Sequence, residues 1–172
     1  MMRVAVDQGR REESRLGELF QRHAADGVRL AYLITGSRAL AEDLVQDAFV
    51  RLAGRLTHLR DPDNLEPYLR RTIVNLTNAH FRRRKVERRY LEREAALPEV
   101  AHAGPDSSER DAVWATLKSL PTRQRTAIVL RFYEDLSESQ TAQAMGCPPG
   151  TVKSLVSRGM DKLRPVMRVD DR

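Results

Sequence analysis

Leu40, Leu44, Ala48, Leu52 and Leu56 recur every four residues, with Val45 and Phe49 beside them. That spacing describes an α-helix with one apolar stripe. The same period runs through most of the chain. Leu16, Leu19, Phe20 and His23 share one face of a first helix. Val28, Ala31, Tyr32 and Thr35 share a face of a second, which Gly36 would end in the left-handed conformation. Ser37 then caps the next helix. The helix breakers agree with this pattern: no proline occurs before Pro62, and no glycine lies between Gly54 and Gly104. No strand-like alternation stands out, so the expected fold class is all-α.

The interruptions divide the chain. Residues 57–64 (THLRDPDN) carry Asp61-Pro62, which favours a turn and removes a backbone donor, so they read as a loop. A long helix follows, with Leu65, Leu69, Ile73 and Leu76 at helical spacing, and it runs into Arg82, Arg83, Arg84, Lys85, Arg88 and Arg89. Residues 95–109 (AALPEVAHAGPDSSE) are small and polar with no apolar face, as expected of a flexible linker. Hydrophobic residues are 41% of the chain, enough for packed cores but thin for one large one. Two small helical domains are therefore expected: a tail at 1–14, a first domain at 15–93, a linker at 94–109 and a second domain at 110–172. In the second, Val113, Trp114, Leu117 and Leu120 mark one helix stopped by Pro121, and Ile128, Val129 and Phe132 mark another.

Composition excludes several classes of function. A lone Cys147 and four scattered histidines supply no two-cysteine zinc pair and no i,i+4 histidine pair, so no metal and no cofactor is expected. The charged start MMRVAVDQGRREESR lacks the apolar core of a signal peptide, and no apolar run is long enough to cross a bilayer. A cytoplasmic protein without membrane insertion is the expectation. Neither a glycine-rich phosphate loop nor a nucleophile with an identifiable base is present, so no catalytic residue is assigned. A formal charge of +6 fits an anionic partner such as nucleic acid.

The run LSESQTAQAMGCPPGTVKSLVSRGMDKLR is the most specific signal. Ser137 and Gln140 have capping-box spacing, Ala142 is small where two helices must cross, and Gly146 suits a turn residue with positive φ. Pro149 fits the first turn of the next helix. There Val152, Val156 and Leu163, with Leu155 nearby, face the core, while Lys153, Ser154, Ser157, Arg158 and Lys162 project from the other side. This is a helix-turn-helix whose second helix offers a major groove long cations and short hydroxyls.

The order of these features resembles the extracytoplasmic-function group of bacterial sigma factors, the initiation subunits of RNA polymerase, over residues 15–166. LKSLPTRQRTAIVLRFYEDLSESQTAQAMGCPPGTVKSLVSRGMDKLR is similar to the family's promoter-binding fourth region, with its Leu-Pro-x-x-x-Arg opening, Leu-Ser cap, Ala-x-x-x-Gly turn and Gly-Thr-Val-Lys-Ser entry. ALAEDLVQDAFVRL and YLRRTIVNLTNAHFRRRK resemble the second region's clamp-docking and promoter-melting helices. The chain departs from the family at Tyr68, where Trp is usual, and at Ala79, where Asp is frequent.

The resemblance implies a non-enzymatic factor that lends sequence recognition to core RNA polymerase on promoter DNA and is held in check by an anti-sigma factor. Thr151, Lys153, Ser154, Ser157 and Arg158 would bind the minus-thirty-five element as duplex, with Arg131 on phosphate. Arg60, Asn64, Arg70, Arg71, Asn75, Asn78, Arg82 and Arg83 would hold the melted minus-ten strand, with Arg84 and Lys85 on its backbone. Glu42, Asp43, Gln46 and Asp47 would dock on the polymerase. The alternative is a free-standing helix-turn-helix regulator that binds duplex operators without polymerase.

Overall fold

A computed structural model describes residues 2–54, 65–91 and 109–167. The regular structure among them is helical: α1 (Met2–Thr35), α2 (Arg38–Ala53), α3 (Glu66–Leu91), α4 (Glu109–Ser119), α5 (Thr122–Ile128), a π-helical turn (Val129–Tyr133), α6 (Glu138–Met145) and α7 (Pro149–Met167). The chain divides into two compact units, 1–76 and 77–172, with the division inside α3. The helix expected to close a first domain at 93 thus supplies residues to both. The linker expected at 94–109 lies outside the described residues except for Glu109, which opens α4.

The two helices expected before Gly36 are one. α1 continues from Met2 through the sequence Ala24-Ala25-Asp26-Gly27, taking in the expected tail as well. Gly27, a residue type that weakens a helix interior, lies between the two expected faces. Its role is instead close packing. A Cβ there would lie 3.2 Å from Ile73 Cδ1 and 3.4 Å from Val45 Cγ2, so the missing side chain lets α1 approach α2 and α3. Around this point Leu30, Ala31, Ile34, Ala41, Leu44, Val45, Ala48, Phe49, Leu52, Leu69 and Ile73 are buried. Phe20 packs edge-on against Phe49 with ring centroids 4.9 Å apart.

The expected caps form. Gly36 has φ 75°, and its N–H donates to the Tyr32 carbonyl at 2.7 Å. Ser37 Oγ accepts from the Leu40 N–H at 3.4 Å, satisfying one free donor at the start of α2. α2 ends at Ala53, and the Leu56 expected to extend its stripe lies outside the described residues.

In the second unit Leu120, Ile128 and Leu163 form a core with Val113, Leu117, Met160 and Val166 packed against it. Gly159 brings α7 against α5, since a Cβ there would fall 2.4 Å from Ile128 Cδ1. Arg125, the arginine of Leu-Pro-x-x-x-Arg, is buried and donates through Nη2 to the carbonyls of Lys118 at 2.5 Å and Leu120 at 3.1 Å. It closes the end of α4 with a charged donor. Burial lowers its pKa from the ordinary arginine value.

Phe132 departs from the expected face. After Ile128 the chain enters the π-helical turn, where the wider turn puts following residues out of phase with the α-helical stripe. Val129 and Leu130 stay buried, whereas Phe132 is 60% exposed. Asp135 then takes φ 49°, a conformation aspartate tolerates better than most side chains.

Candidate nucleic-acid interface

The helix-turn-helix is built by the residues that announce it. Ser137 Oγ accepts from the Gln140 N–H at 3.2 Å, and Gln140 Oε1 accepts from the Ser137 N–H at 2.8 Å. This reciprocal box fixes where α6 begins. Gly146 ends it at φ 61° and ψ 43°, and the Cys147 N–H donates to the Ala142 carbonyl at 3.0 Å. Pro149 opens α7, where its missing donor leaves no bond unmade. Thr141, Ala142, Ala144 and Met145 are buried on α6, and Val152, Gly159 and Leu163 on α7. Val156 and Leu155, expected toward the core, are half-buried.

The other side of α7 is the candidate reading face. Lys153, Ser154, Ser157, Arg158 and Lys162 are exposed, and Thr151 is half-buried. Ser154 Oγ donates to the Gly150 carbonyl at 2.9 Å. Toward the helix end Arg164 lies 3.6 Å from Asp161, whereas Lys153, Arg158 and Lys162 stand along the exposed side. Arg131, read as a phosphate contact, is half-buried, and its Nη1 donates to the Leu136 carbonyl. It braces the segment before α6.

α3 separates its candidates into two groups. Arg71, Asn75, Asn78 and Arg82 follow one another at four, three and four residues, one row on a helix. Arg71, Asn75, Arg82, Arg83, Arg84 and Lys85 are exposed, and Asn78 is half-buried. Arg70 belongs elsewhere. It lies on the row of the buried Val74, its side chain is only 11% exposed, and its Nη2 is 2.5 Å from Glu66 Oε1. Arg60 and Asn64 lie outside the described residues.

His80, assigned no role from sequence, is half-buried beside this row with its ring edge-on to Phe81 at 5.5 Å. Burial, followed by the charges of Arg84 and Arg83, lowers its pKa from the ordinary 6.5.

On α2 the expected acidic face is real: Glu42, Asp43, Gln46 and Asp47 are exposed opposite Leu44, Val45, Ala48 and Phe49. Glu42 Oε1 accepts from Arg38 Nε at 2.9 Å, leaving Asp43 and Asp47 as the carboxylates farther along the face. Val50, three and four residues past Asp47 and Gln46, is 68% exposed. No role is assigned to it from sequence, although it stands beside the leucine stripe. Its position out of phase with that stripe was the available signal.

Comparison with known proteins agrees with this arrangement in both units. The sigma-70 region 2 family model matches residues 19–87, and the sigma-70 region 4 model matches residues 110–163. The RNA polymerase sigma-E factor of Streptomyces coelicolor is 36% identical over 72% of this chain and 70% of its own. The ECF RNA polymerase sigma factor SigW of Bacillus subtilis is 29% identical over 81% of this chain and 82% of its own. Among solved structures, the sigma factor RpoE of Bartonella quintana, in complex with the anti-sigma factor NepR, superposes with a TM-score of 0.71 at 26% identity over 90% of this chain and 97% of its own. With both sigma regions matched in order, the chain belongs to the sigma-70 family of RNA polymerase sigma factors, in its extracytoplasmic-function group.

Proposed function

We propose that this sigma factor divides promoter recognition between α7, which enters the minus-thirty-five element as duplex, and α3, which holds the minus-ten element as a separated strand. The observation that carries the reading is the sorting of side chains on α7: Val152 and Leu163 are buried, while Lys153, Ser154, Ser157 and Arg158 are exposed on the opposite side. A helix so divided is anchored along one side and offers donors and hydroxyls to a groove along the other. On α3 the exposed row of Arg71, Asn75 and Arg82, with Arg83, Arg84 and Lys85, fits a charged track for a single strand. Thr151 would approach the duplex from the start of α7, and Asn78 the strand from within the row. Arg70 enters only by giving up Glu66.

The exposed side of α2 docks on core polymerase through Glu42, Asp43, Gln46 and Asp47. Val50 gives that charged face an apolar contact, which suits a protein partner. The factor itself makes and breaks no covalent bond, acts in the cytoplasm, and is held by an anti-sigma factor until released. Two similar structures support the last point, one solved with NepR and another, CnrH, with the cytosolic domain of CnrY. Among the described residues no helix is long and apolar enough to cross a membrane.

Run-off transcription with purified core polymerase tests the proposal. Promoter-specific transcripts that require both this chain and an intact upstream element are expected. Tight binding of a palindromic duplex by the chain alone, with no transcript in any promoter mixture, would support a free-standing regulator instead.

A further inference from the structure

Ser154 lies between Lys153 and Arg158 in sequence and one turn past Gly150 on the exposed side of α7. Its Oγ is 2.9 Å from the Gly150 carbonyl oxygen. A carbonyl has no proton to give, so the hydroxyl is the donor in that bond. What it presents outward is lone pairs. Ser154 is exposed, so those lone pairs face outward from the protein. Lys153 and Arg158, by contrast, can only donate. Adjacent positions on the reading face therefore have opposite hydrogen-bonding character.

The major groove distinguishes those characters. Adenine N6 and cytosine N4 carry amino donors, whereas guanine O6 and N7 and thymine O4 accept. We propose that Ser154 is a specificity-determining residue that accepts a hydrogen bond from the amino group of an adenine or a cytosine, while Lys153 and Arg158 serve guanine edges or phosphates. The inference rests on the reading of α7 as the helix that enters the duplex. Thymine O4 or guanine O6 in the same place would meet lone pair with lone pair unless the hydroxyl released Gly150.

The test uses core polymerase carrying the full chain, with each base pair of the upstream element replaced in turn and binding measured for wild type, Ser154→Ala, Ser154→Thr, Lys153→Ala and Arg158→Ala. Ser154→Ala should lose discrimination by about 5- to 100-fold at one position, the range of a single base contact, and Ser154→Thr should retain it. An analogue then replaces the base at that position: purine for adenine, or pyrimidinone for cytosine, each lacking the amino group. It should weaken wild type by a similar factor and leave Ser154→Ala unchanged, because both changes delete the same bond. The inference is overturned if losing the amino group costs Ser154→Ala as much as wild type, or if the sensitive atom is thymine O4 or guanine O6. Should the cation variants change base preference while Ser154→Ala changes none, the duplex reading stands and this inference alone fails. Should none of the variants change preference at any position, both fail. Unaltered thermal unfolding of Ser154→Ala, expected for a good helix former at an exposed site, confirms that the readout concerns binding.

Discussion

Arg125 shows how a signature residue can be legible while its work is not. Leu-Pro-x-x-x-Arg is visible in the sequence, but the reach of the guanidinium back to Lys118 and Leu120 depends on the turn at Pro121. Arg125→Ala removes a charged donor from two carbonyls at the end of α4. The variant should lose about 1.5–3 kcal/mol in denaturant titration, the scale of a hydrogen bond to a charged group. Gly146 was legible outright, because a turn between two helices requires positive φ. Gly146→Ala should cost about 1–2 kcal/mol by the same measurement, the penalty of left-handed backbone for a residue with a Cβ. His80 was not legible, since its burial and its arginine neighbours exist only once α3 is formed and packed. With its folded pKa below 6.5, the unfolded chain binds the proton first as pH falls. The contribution of His80 to stability is therefore fully present above about pH 6.5 and is lost as pH drops below it. Denaturant titrations at about pH 7.5 and about pH 5.5 should show that loss, and His80→Gln should reduce it.

At the scale of elements, periodicity carried α2, α3 and α7 because each has a stripe with a distinct wet side, and the capping box with Gly146 carried α6. Periodicity failed in two places for different physical reasons. The faces on either side of Gly27 read as two helices because a sequence does not show that Val45 and Ile73 will lie against that glycine. Phe132 looked like core because a π-helical turn changes the phase of the chain without any residue that announces it. The candidate sites follow the same division. The exposed faces of α2 and α7 were legible, whereas Arg70 was grouped with Arg71 although one residue rotates it toward the row of Val74 and onto Glu66. Asp43→Ala and Asp47→Ala together should weaken capture of core polymerase severalfold in a pull-down titration. They should leave unfolding within about 0.5 kcal/mol of wild type, as expected for exposed charges.

Over the whole molecule, a net charge of +6 understates how the charges are sorted. Cations line the exposed sides of α3 and α7, and carboxylates line α2. The two faces proposed for DNA carry the sign that phosphates require, and the face proposed for polymerase does not. Affinity for two separate DNA targets tests the proposed division of labour between α3 and α7. Polymerase carrying wild-type factor, the Arg71→Ala and Arg82→Ala double variant, or the Lys153→Ala and Arg158→Ala double variant is titrated with an upstream-element duplex and with a single-stranded minus-ten oligonucleotide. The α3 variant is expected to lose the single strand and keep the duplex, and the α7 variant to do the reverse. Equal losses on both targets for either variant would contradict that division.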